Sequence, residues 1–290
     1  RVAMTVVAKD PPTAMLVTVD DDGLVTGHAR VDRLNADLTA HADVARAASE
    51  PLLANRGLSS QGFTLVGDGF RLAPEEGAKL LQSDTRHELL VRPLVNGRDL
   101  ATRPRGLFTI DFALCTEDEA QAYPVLYNIV RDRVKPARDA NKRAAYAEYW
   151  WRFGEPRSGL RSALHRTERY IGTSETSKHR FFQFLTTRTA AEHSVVCIAL
   201  EDGFSLGVLS SAIHAIWSRA AGGRLGVGND PRYQKALCFD PFPFPDPPPE
   251  LRRQIADVAE RLDRHRKDAL ARDERVTMTG MYNVVEKLRS

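Results

Sequence analysis

The stretch FSLGVLSSAIHAIWSRAAGGRLGVGNDPRYQKALCFDPFPFPD, residues 204–246, holds three kinds of chain in succession. Leu206, Leu209, Ile213 and Trp217 step by three, four and four, so one helix with that face buried is expected over 204–221. Gly222 and Gly223 would end it. The loop 222–233 then mixes glycines with Arg224, Asn229, Arg232 and Tyr233. Such side chains clamp phosphates and read base edges. The run FDPFPFPDPPP, 239–249, can be neither regular helix nor central strand, because its prolines lack the donor that both ladders need. It reads as a stiff extended connector.

Outward from this stretch the pattern is mixed. Upstream, RYIGTS (169–174), RFFQFLTT (180–187) and SVVCIAL (194–200) are strand-like runs. Between the first two lies the polar loop TSETSKHR, 173–180, with Lys178, His179 and Arg180. Residues 123–151 carry apolar residues at three- and four-residue steps, and Pro136 is expected to split them into two helices. Strands are expected at 2–8, over 14–31 with a turn at Asp20–Gly23, within 62–72 and at 106–114. Short helices are expected at 36–49 and from Pro74, and a turn at Asn96-Gly97 beside Arg98. Downstream, Leu251, Ile255, Val258 and Leu262 mark the buried face of a charged helix over 251–270. The sum is an α+β fold, with mixed or antiparallel strands, packed helices and a C-terminal helical tail.

The chain has 290 residues, 42% hydrophobic and 27% charged, which excludes disordered and fibrous classes. A chain this long buries roughly 75% of its unfolded surface and needs no disulfide to hold a core. Cys115, Cys197 and Cys238 are sparse and odd in number, as fits a reducing cytoplasm. No apolar run approaches the ~20 residues of a membrane helix. A start at Arg1 is expected of a piece of a larger protein. The net charge of +3 is unevenly spread: residues 131–180 carry 13 Lys and Arg against 6 Asp and Glu. Such a block suggests an anionic partner, nucleic acid first, with Arg138 and Arg143 as candidate phosphate contacts; a solvated helix face is the competing account. Trp150, Trp151, Phe181, Phe182 and Trp217 resemble a stacking platform, but their spacing is that of core residues.

Catalytic signatures are scarce. The eight His are scattered without zinc-ligand spacing, and neither a G-x-S-x-G elbow nor a P-loop occurs. GDGFRL, 67–72, has two glycines of a dinucleotide fingerprint and lacks the third. Asp10-Pro11-Pro12-Thr13 approaches the Asp/Asn-Pro-Pro-aromatic loop of DNA amino-methyltransferases, but Thr13 cannot stack on a base, so it reads as a turn.

At the 204–246 stretch the chain resembles the C-terminal part of MmeI-like, type IIG restriction-modification DNA methyltransferases. In that group a helix, a variable loop with Arg-Tyr and a Phe-Pro-rich connector occur in this order. PLLANRGLSSQGF (51–63), VRPLVNGRDL (91–100), VKPARDANKR (134–143), YWWRFGEPR (149–157) and YIGTSETSKHRFF (170–182) fit the same group. The resemblance implies that 1–50 are terminal strands of a methyltransferase domain, 51–245 a target recognition domain and 246–290 a helical segment. It further implies adenine-specific methyl transfer from S-adenosylmethionine by the parent, with the catalytic motifs upstream and no cofactor held by this fragment. Expected partners are double-stranded DNA and the upstream methyltransferase domain of the same polypeptide, without a membrane. DNA contact is expected from Arg98, Arg138, Arg143, Lys178, His179, Arg180, Arg219, Arg224, Asn229, Arg232 and Tyr233. The rivals are a protein-interaction module, for which 251–270 is the best argument, and a complete enzyme of unrecognised type.

Overall fold

The run 14–31 folds as its turn chemistry dictates. Strands β1 (Ala14–Val19) and β2 (Val25–Val31) pair antiparallel. Asp20 turns the chain by accepting the N–H groups of Asp22 and Leu24, and Gly23 takes a φ of +81°. With helix α1 (Val44–Ala47) they belong to a first unit, 1–50, and residues 51–290 form a second. The structure is a computed structural model and describes residues 14–31, 43–225 and 230–289. The strand expected at 2–8, the Asp10–Thr13 turn and the first half of the helix expected at 36–49 lie outside the described residues.

The second unit mixes short strands and helices. Its strands are β3 (Ser59–Gln61), β4 (Arg71–Leu72), β5 (Val91–Val95), β6 (Phe108–Ile110), β7 (Arg169–Ser174), β8 (Gln183–Thr186), β9 (Ala190–Ala191), β10 (Val195–Ile198), β11 (Gly223–Leu225) and β12 (Asp230–Arg232). Its helices are α2 (Pro74–Ser83), α3 (Gly97–Ala101), α4 (Glu117–Gln121), α5 (Pro124–Asp139), α6 (Ala144–Glu148), α7 (Ser158–Leu164), α8 (Gly203–Leu209), α9 (Ala212–Ala221), α10 (Pro249–Arg272) and α11 (Met278–Arg289). One antiparallel sheet runs β3-β10-β7-β8, and a second, mixed sheet runs β4-β6-β5-β9 with β5 and β9 parallel. This is the α+β class expected.

β10 explains how the core divides. All four of its side chains are fully buried, because this β-branched strand is covered on both faces. Val195 and Cys197 face a large cluster with Phe63, Phe70, Leu126, Trp150 and Trp151. Val196 and Ile198 face a smaller one with Phe182, Leu206, Tyr233 and Phe239. The five aromatics that could pass for a stacking platform are thus buried or half-buried, and the Trp217 indole donates to the Cys238 carbonyl at 3.0 Å.

Four local expectations need correction. Helix α5 runs through Pro136 to Asp139, since Arg138 anchors its last turn to neighbouring carbonyls. The helix expected over 204–221 is two: Ser210 ends α8, and the Ser211 hydroxyl caps α9 by accepting from His214 N. The break turns Ile213 outward, to 75% exposure. Asn96-Gly97 is not a turn but the capped start of α3, with a reciprocal box between Asn96 and Asp99. Finally, α10 does not bury Leu251, Val258 and Leu262. It turns Ala259, Asp263 and Arg266 inward, where it lies along α8. Gly203 and Gly207 permit that approach, for a Cβ on Gly207 would stand 2.6 Å from Ile255. Residues 246–290 are therefore part of the second unit, and no helix among the described residues is long and apolar enough to cross a membrane.

Candidate nucleic-acid interface

β7 leaves its sheet at Ser174, and the chain from there to 180 is laced to the β11–β12 hairpin. Tyr233 N donates to Glu175 O at 2.6 Å and Ser177 N to Pro231 O at 3.4 Å, beside a bridge between Thr176 and Arg232. The Glu175 carboxylate accepts from Arg232 at 2.7 and 2.9 Å and from Gln61 at 3.1 Å. The glycine-rich loop of the sequence is thus a two-stranded ribbon, Gly223↔Arg232 to Leu225↔Asp230, standing on the end of β7. Its tip, including Asn229, lies outside the described residues.

Beneath the ribbon two buried polar side chains, Tyr233 and His214, meet the partly buried Arg180. The Arg180 guanidinium donates to Thr173 Oγ1 at 3.0 Å, to Ser174 O and to Pro231 O at 3.1 Å, and lies over the Tyr233 ring at 5.0 Å. Burial pulls its pKa down to about 10. Tyr233 and His214 are both fully buried and share a hydrogen bond of 2.9 Å, with Phe242 edge-on to the imidazole at 4.3 Å. Tyr233, fully buried, therefore cannot touch DNA as expected from the sequence, and the partly buried Arg180 is engaged at the ribbon's base. They hold the ribbon at its base.

Burial, and secondarily the Arg180 charge, pushes His214 down to about 3 from an ordinary 6.5. Its folded pKa lies below its unfolded one, so between about 3 and 6.5 the unfolded chain binds a proton that the native state refuses. The fold is unpenalised above that window and loses stability as pH falls through it. Urea unfolding at neutral and mildly acidic pH should show this loss, and His214→Gln should flatten it. An equal slope in both proteins would exclude His214 as its source.

The exposed cations gather round this base. Gly97, just before Arg98, packs so closely on β7 that a Cβ there would lie 2.7 Å from Ser174 Oγ, and its N–H donates to Ser194 Oγ at 2.9 Å. Arg98 is thereby exposed beside the 174–180 loop. Lys178 is half exposed, while His179 is partly buried; both donate to Asn283 Oδ1 at 2.8 Å. Arg219, in the last turn of α9, is exposed and adds its field at Glu286 of α11, and Arg224 is exposed on the ribbon. Sequence reasoning selected the basic residues of TSETSKHR and missed their organisers. Glu175 stood within that very motif. Asn283 and Glu286, about a hundred residues away, had no local signal.

The basic block 131–180 does not form one face. Arg138 is 2% exposed and donates to the Leu65, Val66 and Arg152 carbonyls, so its assignment as a phosphate contact is corrected. Arg131, Arg133, Lys135, Arg157, Arg161 and Arg169 pair with Asp132, Glu76, Asp139, Glu155, Asp111 and Glu260. Arg152 is spent on the Cys115 carbonyl. Arg143 is exposed and donates to the Tyr146 hydroxyl at 2.8 Å. Nor do Gly67 and Gly69 form a cofactor loop: a Cβ on Gly69 would stand 2.6 Å from the Arg133 carbonyl, so the turn is filled by α5.

A two-stranded ribbon thus stands on a sheet end, with Arg224 exposed on it and Arg98, Lys178 and Arg219 exposed on the neighbouring segments. The sequence profile of the MmeI target recognition domain matches residues 44–246, and the chain belongs to that family. Over 94% of its length the fold matches the type IIL restriction-modification enzyme MmeI, solved in complex with DNA, at a TM-score of 0.68 and 17% identity. DNA methyltransferase A of Bacillus subtilis (strain 168) is 28% identical over 125 residues, 41% of this chain. The chain spans 36% of the MmeI chain and 13% of the Bacillus protein.

Proposed function

We propose that this chain selects the DNA site for an S-adenosylmethionine-dependent adenine methyltransferase domain upstream in the same polypeptide. The β11–β12 ribbon, through Arg224 and Asn229, reads base edges. Arg98, Lys178, His179 and Arg219 hold the phosphates on either side, and Arg232 steadies the ribbon through Glu175. Arg143, exposed beside Tyr146, is a further phosphate contact. The chain's work is to fix the duplex in register while the catalytic domain extrudes the adenine. The carrying observation is the convergence, at the end of β7, of three separate sequence loops whose exposed side chains are cationic while their buried ones brace the ribbon.

The experiment is fluorescence anisotropy of duplexes at several salt concentrations. Lys178→Ala should weaken all duplexes alike and lower the salt slope by about 0.9, the share of one neutralised phosphate. Arg224→Ala should act on the preferred sequence alone, costing about 1–3 kcal/mol there. Equal losses on every duplex from Arg224→Ala would make the ribbon a clamp and not a reader. No binding at all would favour the protein-interaction reading.

A further inference from the structure

The family's matched span ends at residue 246, yet α11, at 278–289, closes one side of the cationic cluster. Tyr282 lies against His179 at 5.8 Å and stacks on Phe181 at 5.7 Å, and Arg266 of α10 donates to the Phe182 carbonyl at 2.9 Å and to the Tyr282 hydroxyl. Asn283 Oδ1 accepts from both Lys178 and His179, and the Glu286 carboxylate accepts from Lys178 Nζ at 3.0 Å. Lys178, then His179 and Arg219, hold that carboxylate below its usual range. Lys178 thus pairs directly with the Glu286 carboxylate, and Arg219 of α9 adds its field there.

Glu286 and Lys178 are exposed to 60% and 52%, so their pair is cheap to open. A phosphodiester brings the same charge and acceptor geometry to that place, and its binding also releases condensed counterions. We propose that α11 is a wall of the duplex-binding surface and that Glu286 is an internal counter-ion, displaced from Lys178 by a backbone phosphate of double-stranded DNA. The proposal rests on the DNA-recognition reading above. It adds that the C-terminal helix sets how strongly this surface holds any duplex, whatever its sequence.

The test is Glu286→Gln in the full 290-residue chain, titrated into a random-sequence duplex by anisotropy. Affinity should rise about two- to fivefold, the range that an exposed ion pair represents. The gain should be larger at low salt than at high salt. In a Lys178→Ala background most of it should vanish. Because Glu286 is exposed, circular dichroism should not change. If the wild-type chain binds duplex but Glu286→Gln binds equally or more weakly, the counter-ion role is overturned and the DNA reading stands. If Glu286→Gln gains equally with and without Lys178, the displaced pair is the wrong one. If the wild-type chain binds no duplex, both readings fall together.

Discussion

Arg138→Ala is expected to lower the stability of the second unit by about 3–5 kcal/mol, and to do so without touching DNA affinity per folded molecule. The side chain is 2% exposed, and its guanidinium supplies three carbonyls, Val66 and Leu65 at 2.7 Å and Arg152 at 3.0 Å. It also lies over the Tyr146 and Phe70 rings. Burial lowers its pKa, so the charge is costly there and is held by those acceptors. Removing it leaves buried oxygens without donors, each costing about 1–3 kcal/mol, and opens a cavity. One of those oxygens belongs to Val66, a β-branched residue at φ +53°, a conformation that costs on the order of 1–3 kcal/mol and must be held by its surroundings. Thermal unfolding should register a fall of roughly 6–20 °C for a domain of this size. Arg138→Lys should not rescue it, because an ammonium cannot serve three fixed carbonyls as a planar fork does. An Arg138→Ala protein as stable as the wild type but weaker on DNA would restore the residue to the interface.

Arg180→Met should separate affinity from discrimination. The guanidinium ties Thr173 and Ser174 of β7 to Pro231 of β12, and Met keeps volume while removing every one of those bonds. Stability should fall by only about 1–3 kcal/mol, since His214, Tyr233 and Glu175 still hold the ribbon. Reader side chains would no longer be aimed at their bases, and each base left unread costs about 1–3 kcal/mol on the preferred site. Binding to that site should therefore drop some tenfold to hundredfold, with scrambled duplexes hardly affected. Anisotropy on both duplexes measures it. A uniform loss would show that Arg180 serves phosphate contact and not the posture of the ribbon.

These two arginines mark where sequence reading stopped. Arg138 counted as surface charge because a tally of Lys and Arg does not register burial. Arg180 counted as a contact because a polar loop does not show which of its side chains turn back onto it. Most of the 131–180 excess is spent on carbonyls or on acids such as Glu76, Asp111 and Glu260. β7, β8 and β10 were legible because β-branched and aromatic runs of that length have few other uses. The break at Ser210-Ser211 was overlooked because apolar spacing continues through it, and only the caps distinguish two helices from one. On α10 the apolar residues suggested one face and the structure buries another, because Asp263 and Arg266 find partners at Phe184 N and Phe182 O. Of the candidate contacts, Arg98, Lys178, His179, Arg219 and Arg224 lie where loops converge. Their grouping depends on pairings between segments far apart in the chain, which no local pattern encodes.

We propose that this chain chooses DNA by sequence through the β11–β12 ribbon. The most direct measurement is selection from a randomised duplex library by the wild-type chain and by Arg224→Ala, with sequencing of what is retained. The account predicts one enriched site for the wild type, and for Arg224→Ala the same site with preference relaxed at a single base pair. Retained sequences as random as the input, or an unchanged site after Arg224→Ala and ribbon replacement, would contradict it.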